Sequence, residues 1–176
     1  MVRDPITEGG DTALHIAAAA NHPNFVKELL KLMRTEDLEI TNKYGQTALY
    51  LAAASGNVIT AEEIVKKYDN REVITAEEMM EKSKKLTLIG IKSGGLKFTP
   101  LYIAALLGHR EMMSFLFSKT PLENLSAEER IELLVATISN DLFGMSHFSM
   151  IVSLRQLIYN AITSFDVLRE ILIGHE

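Results

Sequence analysis

Five histidines are the residues with the most versatile chemistry in this chain, because imidazole can act as an acid, a base or a metal ligand near neutral pH. No two of them have the His-x-x-x-His spacing that places two metal ligands on one face of a helix, and no carboxylate cluster accompanies them. The sequence therefore predicts no metal site and no cofactor. The five are His15, His22, His109, His147 and His175.

Three pairs of glutamates could in principle supply paired carboxylates for acid–base catalysis: Glu62 and Glu63, Glu77 and Glu78, Glu128 and Glu129. Each pair lies near a predicted helix start, where negative charge complements the helix dipole. The chain has no Cys, so thiol chemistry and disulfides are excluded. The glycine pair 94–95 lacks the other residues of a phosphate-binding loop, and no Gly-x-Ser-x-Gly is present. We therefore expect no catalytic residues and no enzyme activity.

The charge balance argues against nucleic acid as a ligand. The net charge is -5 and the sequence pI is about 5.6, whereas phosphate binding needs concentrated Lys and Arg. One local exception is a segment of 16 residues, 82–97, which has no acidic residue. It is either a patch for an anionic partner or lipid headgroup, or a solvated face of an insertion. Its lysines are Lys82, Lys84, Lys85, Lys92 and Lys97.

Hydrophobic residues make up 47% of the chain, which is enough to bury a core. The first residues contain no apolar run typical of a secretory signal. The most apolar stretch, 142–162, is interrupted by Arg155 and other polar residues, so it does not read as a membrane span. We expect a cytoplasmic protein that reaches the cytosolic face of a membrane only through a partner.

A phrase that occurs three times identifies the elements of the fold. The chain reads Asp-Thr-Ala-Leu-His-Ile-Ala-Ala from Asp11, Gln-Thr-Ala-Leu-Tyr-Leu-Ala-Ala from Gln46, and Phe-Thr-Pro-Leu-Tyr-Ile-Ala-Ala from Phe98. Repeats of this kind form stacks of similar units. Such stacks offer an extended surface to other macromolecules.

Each position of the phrase has a structural explanation. The threonine precedes an apolar run, as a helix N-cap does. The leucine is expected in the core, and the paired alanines let neighbouring helices approach closely. A residue suited to left-handed backbone ends each first helix. These residues are Thr12, Thr47 and Thr99; Leu14, Leu49 and Leu101; Asn21, Gly56 and Gly108.

A second helix follows each phrase, with apolar residues at helical spacing. Its predicted core residues are Phe25, Val26, Leu29 and Leu30 in the first copy, Val58, Ala61, Ile64 and Val65 in the second, and Met112, Met113, Phe115 and Leu116 in the third.

Two further segments lie outside the regular phrases. Between copies two and three, Thr75 and Glu78 predict a capped helix in an insertion of about 19 residues, which is either a specialised surface or a neutral elongation. After copy three, Ser126 and Glu129 predict another helix. Its buried face is expected to contain Ile131, Leu134, Val135 and Ile138, and helices at 150–158 and 165–173 are expected to follow. This last region is either a degenerate repeat or a cap.

The phrases resemble the ankyrin repeat, whose pattern is Gly-x-Thr-Pro-Leu-His-x-Ala-Ala. Gly10 to Ala18 and Gly45 to Ala53 match well, while Lys97 replaces the hairpin glycine of the third copy. The resemblance implies an all-α ankyrin-repeat solenoid of about three helix-turn-helix repeats with β-hairpin fingers. We expect repeats at about 8–40, 42–70 and 94–120 within residues 1–120, an inserted helical segment at 71–93, and a C-terminal helical segment at 121–176.

The sequence of the repeats is also similar to that of a plant subfamily of ankyrin proteins that end in a membrane domain with a Pro-Gly-Gly signature. The similarity rests on Asn42 to Leu49, on Pro100 to Ala105 with Gly108, and on Glu129 to Phe143. It implies a role in defence or stress signalling. An alternative is a soluble or truncated relative that associates or competes with a membrane-anchored one. The printed chain contains no Pro-Gly-Gly element.

The ankyrin resemblance implies a non-catalytic module that binds other proteins through its finger tips and the exposed side of its first helices. Tyr44 and Phe98 are the aromatic anchors of this hypothesis, although Phe98 could instead pack inward on its own hairpin. A competing hypothesis is a partial array with no function of its own. The candidate contacts are Glu8, Gly9, Asp11, Lys43, Tyr44, Gln46, Leu96, Phe98, Ala20, Ser55 and Leu107.

Overall fold

The computed structural model describes residues 2–69, residues 86–140 and the single residue 156. Helices dominate these parts, with one small two-stranded sheet. The α-helices are α1 (Ala13–Ala19), α2 (Pro23–Leu32), α3 (Ala48–Ser55), α4 (Val58–Asp69), α5 (Pro100–Leu106), α6 (Arg110–Lys119) and α7 (Ala127–Ser139). The strands are β1 (Ile91–Ser93) and β2 (Leu96–Phe98), and short 3-10 helices span Thr35–Glu39 and Leu122–Asn124.

Three helix pairs stack side by side, as the repeated phrase predicts. The first helices α1, α3 and α5 pack in series, and α7 packs against α5. The second helices α2, α4 and α6 form a second layer behind them. The core between the layers contains Leu14, Leu49 and Leu101, each at most 1% exposed, together with the paired alanines. The described residues therefore form an ankyrin-repeat solenoid.

The residues that end the first helices have the expected backbone, and two of the three threonines that begin them act as caps. The Thr12 hydroxyl instead lies 2.8 Å from Nδ1 of His15. Thr47 accepts a hydrogen bond from the backbone N–H of Tyr50 at 3.1 Å, and Thr99 accepts one from Tyr102 at 3.3 Å. At the other end, Asn21, Gly56 and Gly108 all have positive φ (57°, 69° and 73°). The left-handed turn lets the chain reverse into the second helix of each pair.

The third finger differs from the sequence-based expectation. Strand β1 pairs antiparallel with β2, with Ile91 opposite Phe98 and Ser93 opposite Leu96. The finger therefore includes Ile91–Ser93, which the sequence had placed in the helical insertion ending at residue 93. Gly94 and Gly95 both have positive φ, as a two-residue type I′ turn requires, so the hairpin does not need a glycine at position 97.

Predicted core positions are wrong in two helices, α2 and α7. Phe25 in α2 is 54% exposed. In α7 the buried side chains are Leu133, Ala136 and Thr137, whereas Ile131, Val135 and Ile138 are 41%, 50% and 47% exposed and Leu134 is only partly buried. The apolar spacing had identified a real helix but the wrong face of it.

The start of α7 agrees with its predicted capping box. The Ser126 hydroxyl accepts from the Glu129 N–H at 3.2 Å, and the Glu129 carboxylate accepts from the Ser126 N–H at 2.9 Å. The capping box at Thr75 and Glu78, the helices predicted at 150–158 and 165–173, and Lys82, Lys84 and Lys85 lie outside the described residues. The domain boundaries remain a prediction.

Candidate partner-binding surface

The first two fingers are loops, residues 6–11 and 42–46, each closed by a backbone hydrogen bond between its end residues. A network of hydrogen bonds around Asn42 holds them together. Its amide nitrogen donates to a carboxylate oxygen of Asp11 at 2.8 Å and to the side-chain oxygen of Gln46 at 2.9 Å. Its side-chain oxygen accepts from the N–H groups of Tyr44 and Gln46, both at 3.0 Å. Asn42, itself buried, thereby fixes the loop that displays Tyr44.

Asp11, a candidate contact from the sequence, has a structural role in this network. Its carboxylate also accepts a hydrogen bond from the Thr7 hydroxyl at 2.8 Å, and its N–H donates to the Thr7 hydroxyl oxygen at 3.0 Å. The hydrogen bonds from Asn42 and Thr7 stabilise the carboxylate and lower the pKa of Asp11 below its usual value. Gln46 is similarly engaged through Asn42. These two side chains shape the fingers and are poorly available to a partner.

Glu8, Lys43 and Tyr44 are the exposed residues at the tips of these fingers, with Tyr44 66% exposed. The two fingers are also joined through backbone, because the Lys43 N–H donates to the carbonyl of Gly9 at 2.9 Å. An exposed tyrosine on a loop fixed by hydrogen bonds can contact a partner at a low cost in conformational entropy.

The third finger contributes less exposed apolar surface than the sequence implied. Leu96 and Phe98 are both half-buried. The Phe98 ring lies against Tyr102, with ring centroids 4.9 Å apart and planes tilted by 46°. An aromatic pair of this geometry stabilises the hairpin on α5. The backbone N–H of Lys97 donates to the Glu129 carboxylate at 2.9 Å, which ties the hairpin to α7.

An exposed apolar line on the first helices was only partly found from the sequence. Leu107 is 49% exposed, as expected for a candidate contact, but Ile16 and Leu106 are also 42% and 44% exposed. Leu51 and Ile103, which occupy the same repeat position as Ile16, are half-buried. The repeated phrase did contain a signal for this exposed apolar position. The residue before the alanine pair is aliphatic in all three copies. The core does not require it, because the leucine of each phrase already fills the core.

Two histidines join neighbouring repeats. His15 Nε2 lies 3.0 Å from the backbone carbonyl oxygen of Gln46, and its Nδ1 lies 3.2 Å from the N–H of Thr12. In a neutral ring with the proton on Nε2, both contacts are satisfied hydrogen bonds. Burial lowers the pKa of His15, which favours this neutral form. His109 Nε2 lies 3.0 Å from the carbonyl oxygen of Ala54. Both imidazoles have structural partners.

A carboxamide takes the equivalent place at the junction with α7. The Asn140 side-chain nitrogen donates to the carbonyls of Ala105, Leu106 and Ala136, at 3.0, 3.0 and 3.1 Å. His109 does the same for the carbonyl of Ala54 at the end of α3. Each side chain thus satisfies carbonyls at the end of the first helix of the preceding repeat.

Within residues 2–69 and 86–140, no group of three or more His, Asp or Glu side chains is arranged to hold a metal ion. None of the helices described there is both long enough and apolar enough to cross a membrane.

The family model for ankyrin repeats (3 copies) matches residues 2–76. The ankyrin repeat and KH domain-containing protein mask-1 of Caenorhabditis elegans is 36% identical over 75 residues, which cover 39% of this chain and 3% of that protein. Inversin of Danio rerio is 42% identical over 59 residues, covering 34% of this chain and 6% of that protein. The chain thus matches only a small part of each relative.

The repeats, their stacking and the family match agree with one another. Ankyrin repeats are generally non-catalytic, and they indicate a module for interaction between proteins. Residues 2–76 match the model for ankyrin repeats, and the described residues stack as an ankyrin-repeat solenoid.

Proposed function

We propose that this chain binds a partner protein through one continuous surface, formed by the tips of the first two fingers and the exposed side of α1, α3 and α5. The observation that carries the proposal is the combination of Tyr44 with the exposed aliphatic residues Ile16, Leu106 and Leu107. Ile16 lies on α1 and Leu106 and Leu107 lie at the end of α5, while Leu51 on α3, the helix packed between them, is half-buried. An apolar stretch that crosses packed helices in this way is typical of an interaction site.

The network around Asn42 supports this division of roles. Asp11 and Gln46 are engaged in holding the fingers, so Glu8, Lys43 and Tyr44 remain for contact. Phe98 stabilises its hairpin through Tyr102. We therefore rank Tyr44 and Leu107 above Phe98 as anchors. The surface is built from fixed elements, so binding does not require the fingers to become ordered first.

The test is capture of partners from native extract with the purified chain, followed by affinity measurement on what is captured. Tyr44→Ala and Leu107→Ser should each weaken a genuine partner by about tenfold or more, as loss of an anchor does. The matched control is Ile59→Ala, because Ile59 is 55% exposed but lies on the second helix α4. Partners that Ile59→Ala loses and Tyr44→Ala retains would contradict the proposal.

A second candidate keeps the narrower resemblance to membrane-anchored plant proteins of defence and stress signalling, with this chain associating or competing with such a relative from the cytoplasm. The observation favouring it is the sequence from Asn42 to Leu49. Asn42, Gln46 and Thr47 already have folding roles in the second finger, which accounts for part of that likeness. Co-sedimentation with the cytosolic part of such a relative is the test, and failure to co-sediment would contradict it.

A further inference from the structure

The first helices of the three repeats differ in charge from the other described helices. None of α1, α3 and α5 contains Asp, Glu, Lys or Arg. In contrast, α2, α4 and α6 each contain glutamate together with lysine or arginine. The exposed side of the first helices is therefore an uncharged surface, which we call the neutral strip. Its residues occupy two positions of each repeat and are Ile16 and Ala20, Leu51 and Ser55, Ile103 and Leu107.

Hydrogen-bonding groups along the neutral strip are engaged within the chain. The last carbonyls of an α-helix have no partner inside that helix, so they are the usual acceptors at a helix end. Here a side chain of the following repeat, or of the residue after α7, reaches them. The pairs are Ser55 with Ala18 (3.3 Å), His109 with Ala54 (3.0 Å), and Asn140 with Ala105 and Leu106 (both 3.0 Å). The strip therefore offers a partner apolar surface and few open polar groups.

A charged side chain of a partner would be poorly accommodated on this strip. It would lose water on binding and meet no opposite charge, and an unpaired charge taken out of water is costly. The charges of the proposed binding surface lie instead on the fingers, where Glu8 and Lys43 are both exposed. Charge complementarity therefore confines the partner's own charged residues to the edge that meets the fingers, and it places apolar side chains over α1, α3 and α5.

The backbone of the partner is constrained in the same way. An extended peptide docks by adding to the edge of a sheet, where its amide groups find hydrogen-bond partners. The neutral strip is built from α-helices, whose interior backbone groups bond within each helix, and the carbonyls at the helix ends are engaged as described. A helical partner segment satisfies its own backbone groups, so it can lie on the strip without leaving amides unpaired.

We infer that the partner segment is an amphipathic helix with an uncharged apolar stripe, laid across α1, α3 and α5. This inference rests on the proposed function and names the kind of partner that the same surface binds. Packed helices lie about 8–10 Å apart, so the three first helices span about 16–20 Å between their outer axes. A helix of about 11–14 residues covers that distance. Its apolar residues recur three and four apart, and its charged residues lie on the flank that faces Glu8 and Lys43.

The experiment is selection of binders for the purified chain from two displayed peptide libraries of equal size. In one library the random residues lie on a stable single helix, and in the other they lie in a linear peptide kept extended by proline. The inference predicts that binders come from the helical library and share an apolar stripe without Asp, Glu, Lys or Arg. Each selected peptide is retested against Tyr44→Ala and Leu107→Ser, which identifies the peptides that bind at the proposed surface.

Charge substitutions on the neutral strip provide a measurement on the side of the protein. Ala20 is small and exposed at the end of α1, so a longer side chain there adds charge without deleting an apolar one. Both Ala20→Lys and Ala20→Glu should weaken binding of the selected helix by about tenfold or more, because neither sign meets a counter-charge. Ala20→Gln, which adds similar bulk without charge, should weaken it less. Stronger binding with either sign of charge at position 20 would overturn the inference.

The matched controls are Ser114→Lys and Ser114→Glu, at an exposed position of the second helix α6. These should leave the affinity unchanged, and circular dichroism confirms that each variant folds. Equal weakening by the substitutions at positions 20 and 114 would also overturn the inference.

The outcomes of the selection separate this inference from the proposed function. Peptides that lose binding on Tyr44→Ala or Leu107→Ser, but are extended or carry charged residues along their contact stripe, would overturn the inference and leave the binding surface as proposed. If no peptide from either library responds to Tyr44→Ala or Leu107→Ser, the proposed function fails and the inference fails with it.

Discussion

His15 and Gln46 join the first repeat to the second finger, with Nε2 of the imidazole 3.0 Å from the backbone carbonyl oxygen of Gln46. The same carbonyl accepts a hydrogen bond from the N–H of Asn42 at 3.0 Å. One backbone oxygen therefore bonds both a side chain of the preceding repeat and a backbone N–H of its own finger. The finger tips proposed for binding are therefore held through this junction, in which His15 is 2% exposed.

The stability of the fold should depend on the protonation of His15. Burial lowers its pKa in the folded state below the ordinary value of 6.5. Above pH 6.5 the ring is neutral in both states and contributes no pH dependence. As the pH falls through 6.5, the unfolded state takes up a proton that the folded state resists, so the free energy of unfolding decreases until the pH is below the folded pKa.

The check is the urea midpoint of the wild type and of His15→Tyr between pH 7.5 and about 5.5, a window set by the usual imidazole pKa. Tyrosine stands at this position in the other two repeats, so the variant is expected to fold and to show a shallower decrease. An unchanged slope in His15→Tyr would contradict the assignment.

Gly56 cannot be replaced without strain. Its φ is 69°, and a Cβ atom would lie 2.7 Å from Nδ1 of His109. We expect Gly56→Ala to destabilise the protein by about 2–4 kcal/mol, combining the cost of left-handed backbone with the displacement of a ring that bonds Ala54. The matched control is Gly94→Asn in the hairpin turn, where φ is 58° and nothing lies within 4 Å of the added Cβ. That change should cost under about 0.5 kcal/mol, because asparagine tolerates this turn position.

Asn140 should be needed to hold α7 on the stack. Asn140→Ala removes hydrogen bonds to three carbonyls, two of them in the preceding repeat. We expect a loss of about 1–3 kcal/mol, since the change removes a side-chain donor from all three carbonyls, although the backbone N–H groups of Gly108 and Asn140 still donate to Ala105 and Ala136. Hydrogen exchange should show faster exchange in α7 and at the end of α5. Ser139→Ala, at the neighbouring exposed position, should change neither quantity, and equal effects of the two substitutions would rule out this role.

A comparison of two residues of α7 tests which face of this helix is buried. Leu133 is 1% exposed and Val135 is 50% exposed, although the apolar spacing had placed Val135 in the core and omitted Leu133. Leu133→Ala should cost about 2–4 kcal/mol in unfolding free energy because it leaves a cavity, whereas Val135→Ala should cost under about 1 kcal/mol. Chemical denaturation measures both. A larger cost for Val135→Ala would restore the original prediction.

The helices and their caps could be predicted because each depends on neighbours in the sequence. Thr47 and Thr99 cap the helices that follow them, and Gly56 ends a helix in left-handed backbone, as the repeated phrase indicated. Phe25 and Ile131 were placed wrongly for one shared reason. Periodicity shows which residues lie on one face of a helix, but it does not show whether a neighbouring element covers that face.

The candidate surface was less accessible to sequence reasoning. Exposed tips such as Tyr44 follow from the finger position, but the network around Asn42 depends on pairs 31 residues apart and withdraws Asp11 from contact. The Gly94–Gly95 turn was visible in the sequence and was considered only as a phosphate loop. Which of these residues touches a partner remains a prediction.

The contact between position 56 and the ring of His109 also bears on how this fold can change over time. A side chain at position 56 requires the imidazole to withdraw, and a withdrawn imidazole leaves the Ala54 carbonyl unbonded. Position 56, 53 residues before the histidine, can therefore gain a side chain only if position 109 changes as well. Among descendants of this chain, loss of the glycine should be accompanied by a small or polar residue in place of the histidine. The length of the chain between the second and third repeats should vary without breaking this pairing of positions 56 and 109.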